Sequence, residues 1–345
     1  MKEKFNLLLL FCLLVPFLAH AADYDKKIHR DFPESQISAL NITNKFGTIE
    51  IRDSGGNLVT VDATVTVRDA NESRAQALLN KINIEIGKNG SVLEVTTVIE
   101  ENFNTKGNFS IDYKINIPKN KDLTVNNKFG NLVMADLGGK GNFTIAYGNL
   151  TAGSLNPPAD APVWLDLSYG KADIGSASRM NGLIKYSKLF MESGGTMELE
   201  TKYSGLNIRK MENMKLESKY DGVDIGEAGA ITANSKYTNY GLEKLNHSLS
   251  LQTGYGSVRI DQVSPGFSTI RITNSYGGIT IGLGTQDYQL DAECEYCDIK
   301  YPADRFKGNR ARENQSVRVN GQIGGTTPGK QVMIRSRYGG INLLK

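Results

Sequence analysis

An aromatic residue returns along this chain at nearly fixed intervals, and that period limits the folds available to it. Ten of the fifteen tyrosines share one context, typified by Lys-Tyr-Ser-Gly-Leu-Asn-Ile at 202–208. They are Tyr147, Tyr169, Tyr186, Tyr203, Tyr220, Tyr237, Tyr255, Tyr276, Tyr296 and Tyr338, with Phe46 and Phe129 in the same role upstream. From Tyr169 to Tyr237 the step is 17 four times running; elsewhere between Phe129 and Tyr296 it is 18 to 22. The gap of 42 before Tyr338 reads as two units with one anchor lost. A period near 20 is the mark of a solenoid, whose units cannot bury an apolar face alone and stack on their neighbours.

The register around each anchor decides the kind of solenoid. Four residues before it the chain is apolar (Leu199, Leu216, Leu251), and two before it small or amide-bearing (Thr201, Ser218, Asn274). Three and five after, it is apolar again (Leu206 and Ile208, Val223 and Ile225). These offsets have period two, so each unit is a pair of short strands with alternate side chains inward. Gly follows the anchor at 130, 148, 170, 256, 277 and 339, where a corner needs positive φ or close backbone approach. A helical repeat is opposed by the period of two, the β-branched strand positions and the 36 glycines. Strands at one register with no hairpin between them stack in parallel. The expected fold is mainly β: a single-stranded parallel β-helix of about 11 coils, roughly 50 Å long, with a small N-terminal α+β cap.

The chain divides accordingly. Residues 1–21 read as an export signal: Lys2 and Lys4, the apolar run Leu7–Val15, then Ala19-His20-Ala21. Nine apolar residues before Pro16 are too few to span a bilayer, which takes about 20. The expected location is the periplasm or cell surface, with no integral membrane segment. Residues 22–118 form the cap and a first repeat at Phe46, with helical spacing at Ala75, Leu78, Leu79 and Ile82 and a hairpin signal at Asn89-Gly90. Residues 119–345 form the solenoid, interrupted by an insertion loop at 302–314. No cap is visible beyond Ile341–Leu344, so end-to-end self-association through the C-terminal coil is open.

At this point the chain resembles the bacterial putative-adhesin family. The resemblance rests on the export signal, the strands and helix of the first third, the run Tyr113-Lys114-Ile115-Asn116-Ile117-Pro118, and the repeated Gly-x-Val/Leu/Ile-x-Val/Ile units. It implies an exported β-solenoid, a domain of unknown function, and brings no catalytic residues. Tyr-Gly stands here where a small residue and Gly are commoner in the family.

Few residues carry chemistry. A net charge of +3, with no basic block, argues against nucleic acid. The tyrosine column is read as having the parity of the inward apolar positions and is expected as an internal aromatic ladder, the alternative being an exposed strip for sugar rings. Lys185, Lys202, Lys219 and Lys236 precede four anchors and point outward, about 5 Å apart in stacked coils. They form a candidate face for anionic polysaccharide, or a solvated face balanced by Glu200 and Glu217. Arg305, Lys307, Arg310 and Arg312 make the 302–314 insertion a candidate contact loop for an envelope protein, against a plain surface loop. Cys294 and Cys297 are either a disulfide across a turn or two buried thiols. For hydrolysis, Asp173 and Asp224 lie three coils apart, about 14 Å, and Asp221 and Asp224 are explained as corner and surface residues. No Ser-His-Asp order, metal cluster or calcium-binding nonapeptide is visible, so no catalytic residue, metal or cofactor is expected. The expectation is a non-enzymatic, adhesin-like binding module of the cell envelope. A polysaccharide lyase or hydrolase, and an envelope structural or sensing component, are the alternatives.

Overall fold

The computed structural model describes residues 22–103, 108–325 and 329–344. The export signal expected at 1–21 lies outside them. The fold is mainly β, 68% strand and 5% helix among the described residues, with a β-solenoid of about nine turns.

The central coils show how the sequence builds it. Strands Lys188–Lys202, Gly205–Lys219 and Gly222–Lys236 pair in parallel at an offset of 17, Leu189 opposite Leu206 and Leu206 opposite Val223. In the first of these coils Leu189 and Met191 point inward from one face, Gly194 fills the bend, and Met197, Leu199 and Thr201 point inward from the return face. Pairing lapses at Glu192 and Gly195, where the strand turns. Stacked coils thus bury continuous columns, such as Leu199, Leu216 and Ala233, each 5% exposed or less. Removing a Leu side chain from water contributes about 2 kcal/mol, and only a stacked neighbour makes that possible here.

The glycines after the aromatic anchors are there for close approach. A Cβ at Gly148 would lie 1.8 Å from the carbonyl oxygen of Gly130, and one at Gly170 would lie 1.9 Å from that of Gly148. Where the coils are 17 long, hydroxyls and a carboxylate replace glycine and take up backbone donors. Gly170 N–H donates to Ser187 Oγ (3.1 Å), Ser187 N–H to Ser204 Oγ (3.3 Å) and Ser204 N–H to Asp221 Oδ1 (2.6 Å).

Both ends depart from chain order. The first repeat, strands Ala39–Lys45 and Ile49–Arg52, lies between the cap strands Val92–Ile99 and Asn108–Asn116 on one side and the coil of Phe129 on the other. The antiparallel strands Ala22–Pro33, Leu58–Asp69 and Ile82–Asn89 complete this end. Helix Glu72–Asn80 packs Ala75, Leu78 and Leu79 into it, and Asn71 caps it by accepting the Arg74 N–H at 2.9 Å.

The C-terminal end corrects three expectations. The gap before Tyr338 hides no lost coil: it holds the antiparallel strands Phe306–Glu313 and Ser316–Ile323, the second paired to Tyr288–Glu295. The chain end, Gln331–Arg337 and Ile341–Asn342, runs back between the coils of Tyr276 and Tyr296. The solenoid thus has about nine turns against the eleven expected, and the last coil in sequence is not the last in space. Segment 302–314 is not a loop either. It is a 3-10 turn, Ala303–Arg305, followed by an edge strand.

Close approach gives a direct test. Gly148→Ala should lower stability by about 3 kcal/mol, because both partners are backbone and neither can yield. Gly222→Ala should change it little, since nothing lies within 4 Å of its Cβ position. Urea denaturation of the two variants, with equal midpoints, would contradict the stacking described.

Candidate functional site: an external aromatic ladder with a lysine column

Inward positions within one unit run 201, 204, 206, 208, so parity changes at the corner. The residue that absorbs the change is the aromatic. All twelve anchors have φ between 51° and 64°, and Asn314 is the only other described non-glycine residue with positive φ. A left-handed residue reverses the direction of the chain's side chains, so the tyrosines point out, not in. Tyr203 is 43% exposed, and the others from Phe129 onward span 39–51%. The expected internal ladder is corrected to an external one.

The rings stack face to face along the edge of the solenoid, with centroids 4.6–5.1 Å apart. Their order is Phe46, Phe129, Tyr147 and onward to Tyr276, then Tyr338, then Tyr296. A sugar-stacking strip needs free ring faces, and here each interior ring has given both faces to its neighbours. What remains outward is a row of ring edges and phenol oxygens, one per coil. Ring edges carry the positive end of the aromatic quadrupole.

The residue before each anchor forms a second column beside the rings. Lys185, Lys202, Lys219 and Lys236 are direct register partners in successive coils. Among the described residues none of the four closes an ion pair with a carboxylate. The expected balance by Glu200 and Glu217 is absent at contact distance: Glu217 accepts instead from Asn234 Nδ2 at 2.9 Å. Lys202 Nζ lies 5.5 Å from the Tyr203 centroid. The same column holds cations not singled out from the sequence: Lys45 over Phe46 (5.0 Å), Lys128 over Phe129 (5.0 Å) and Arg337 over Tyr338 (5.1 Å). All three directly precede an anchor, which is the signal that would have found them.

The remaining candidates are spread through the fold. Arg305 pairs with Asp287 at 2.5 Å beside the 3-10 turn, Arg310 and Arg312 reach Asp298 at 3.1 and 4.0 Å, and Lys307 is exposed on the edge strand. Cys294 and Cys297 are joined in a disulfide across the Tyr296 corner, with Cα atoms 5.3 Å apart. Asp173 and Asp224 occupy one outward column, separated by Phe190 and Asn207. Asp221 is buried and spent on structure: its carboxylate accepts from Thr201 Oγ1, Ser204 N, Ser218 Oγ and Lys219 N. No group of three or more His, Cys, Asp or Glu side chains is poised around a metal position among the described residues. No helix among them is long and apolar enough to cross a membrane.

Stacking against backbone strain can be separated at one anchor. Tyr203→Ala removes two ring contacts, at about 0.5–1.5 kcal/mol each, and keeps a left-handed residue with a Cβ. Tyr203→Gly removes the same contacts and relieves about 1–2 kcal/mol of that strain. Thermal denaturation should rank wild type above Gly and Gly above Ala; Ala at or above Gly would refute the left-handed corner.

Among curated protein sequences none matches this chain. Several solved structures are similar to it, among them three of differing description. A putative cell adhesion protein from Clostridium sporogenes is 12% identical, covering 93% of this chain and 99% of its own at a TM-score of 0.21. A putative adhesin from Bacteroides fragilis is 13% identical, covering 74% and 96% at 0.35. A putative lipid binding protein from Parabacteroides distasonis is 13% identical, covering 92% and 97% at 0.23. The family model Toastrack DUF4097 matches residues 37–344, from the first repeat to the strand that closes the fold. With that span matched, the chain belongs to the Toastrack DUF4097 family, as the repeat and cap of its sequence led us to expect of an adhesin-like solenoid.

Proposed function

We propose that this protein is an exported, non-enzymatic binding module of the cell envelope that presents its aromatic–lysine edge to a linear anionic polysaccharide. The observation that carries this reading is the column Lys185, Lys202, Lys219 and Lys236, in register over four coils and without carboxylate partners among the described residues. Four unpaired cations at strand spacing repel one another, by about 1 kcal/mol per neighbouring pair in water. A polyanion laid along the solenoid axis would relieve that repulsion at every coil.

The neighbouring rings favour the same ligand. Their faces are occupied, so the strip offers phenol hydroxyls and positive ring edges, which suit carboxylate or sulfate oxygens better than sugar C–H faces. A corner that Gly or Asn would adopt at lower cost is instead filled twelve times by Phe or Tyr. Localisation in the envelope rests on the signal-like segment 1–21.

The test replaces Lys185, Lys202, Lys219 and Lys236 together with Gln, on full-length mature protein. Wild type should be retained on immobilised polygalacturonate and released by salt, and not retained on neutral dextran. The variant should lose at least tenfold in affinity while its melting temperature stays the same or rises. Unchanged retention of a folded variant would show the column to be a solvated face, and release of reducing ends or unsaturated sugars by the pure protein would overturn the non-enzymatic reading.

A further inference from the structure

Away from the ladder, the outer face of the strands that follow each corner carries a groove of about 540 Å³. Two features of the sequence make it. Gly226 and Gly241 are outward positions without side chains, set among Arg209, Asp224, Glu243 and Arg259, so the surface drops where they fall. A side chain at Gly241 would begin 2.7 Å from Asp224 Oδ1, which shows how closely Asp224 leans over the floor.

The groove follows the solenoid axis. Phe190, Asn207, Asp224, Gly241 and Arg259 are successive register partners on five coils. Four steps of about 4.8 Å make this column roughly 19 Å long. Phe190 closes one end. Lys171 covers its ring from the preceding coil, 4.5 Å from the centroid, and the ring lines the groove on the side of the following coils.

The groups along it differ in what they have already spent. Arg209 is bound to Glu192 at 2.5 Å and Arg259 to Asp261 at 2.9 Å. The side chains of Asn207, Asp224 and Glu243 form no hydrogen bond or ion pair with any described residue. The lining thus holds an apolar ring, an amide that both donates and accepts, and two carboxylate acceptors. Four carboxylates stand against two guanidiniums, so an acidic ligand is disfavoured here, in contrast with the lysine column.

We propose that this groove is a binding site for a non-acidic saccharide chain, with Phe190 as the platform for a sugar C–H face and Asn207, Asp224 and Glu243 as hydroxyl partners. Its volume lies in the range of about 300–1,000 Å³ usual for small-molecule sites. The combination of one apolar surface with unpaired amide and carboxylate oxygens suits a polyhydroxylated ring, whose hydroxyls donate on its edge while its C–H face is apolar. The site is independent of the proposed polyanion edge, since the two share no residue.

The experiment titrates the mature protein with neutral hexasaccharides of glucose, N-acetylglucosamine, mannose and xylose, and with hexagalacturonate, by isothermal calorimetry. At least one neutral hexamer should bind, and hexagalacturonate should not compete with it. Phe190→Ala and the exposed Asp224→Ala should each weaken binding tenfold or more, and Gly241→Gln, which fills the floor, should abolish it. The quadruple lysine-to-glutamine variant should bind the neutral hexamer as wild type does, which separates this site from the edge. Binding of no neutral hexamer, or unaltered binding by Asp224→Ala and Gly241→Gln in folded protein, would overturn the proposal.

Discussion

A left-handed corner, repeated at the spacing of hydrogen-bonded strands, is the constraint on which this structure depends. Each corner holds an L-residue in a conformation that costs about 1–2 kcal/mol. The strand spacing of about 4.8 Å places corresponding atoms of adjacent coils within the 4.5–7 Å at which aromatic pairs attract, at about 0.5–1.5 kcal/mol a pair. The observed centroid distances, 4.6–5.1 Å, are the strand spacing read off on rings. Stacking and strain therefore nearly cancel, and neither would exist without the other: a lone aromatic would not hold the corner, and an unstacked corner would favour Gly or Asn.

The same translation governs the inner side of the corner, with the opposite consequence. Outside, repetition brings large groups together profitably; inside, it brings backbone against backbone. Gly130, Gly148 and Gly170 meet this by having no side chain. Ser187, Ser204 and Asp221 meet it by turning their side chains into acceptors for the coil before. Neighbouring polar groups stay enclosed with them. Tyr240, 3% exposed, is one of them: burial pushes its pKa up to about 12, against the opposing pull of the Ser235 hydroxyl. The column behind the tyrosines is thus a buried polar seam in an otherwise apolar core.

How much of this was legible depends on whether the feature repeats. The period, the parallel stacking, the hairpin at Asn89-Gly90 and the lysine column all follow from counting along the chain, because a stacked fold turns each repeated residue into a spatial row. The direction of the tyrosines was also written there, and misread. Inward positions fall two and four before the anchor but three and five after it, and a change from even to odd offsets requires one residue that breaks the alternation. Taking the anchor as the last member of the upstream series put it inside; its positive φ makes it the break. The C-terminal threading was not legible, since a gap of 42 fits two ordinary coils as well as a hairpin and a return strand. Nor was the groove at Gly226 and Gly241, which depends on two unrepeated glycines falling in adjacent rows.

The two ends show why the threading is there. A stack of parallel coils ends in strands with unpaired N–H and C=O groups, which invite another chain. At both ends the sequence switches to antiparallel pairing, with Leu58–Asp69 and Ala22–Pro33 at one and Ser316–Ile323 and Phe306–Glu313 at the other. The outermost strand at each end is charged: Ala22–Pro33 carries Asp23, Asp25, Lys26 and Arg30, and Phe306–Glu313 carries Lys307, Arg310 and Arg312. Such strands present the edge but discourage its use. The ladder does not close in the same symmetrical way. At its first ring Phe46 is met by Phe109 at 5.0 Å, itself against Phe103 at 4.8 Å. At its last, Tyr296 is followed by no further ring among the described residues, and the residue before it, Glu295, pairs with Arg337 of the neighbouring coil at 3.4 Å. The strip therefore runs from an aromatic cluster with Lys45 at the cap to a tyrosine beside an Arg–Glu ion pair at the far end, so its two ends differ in chemistry.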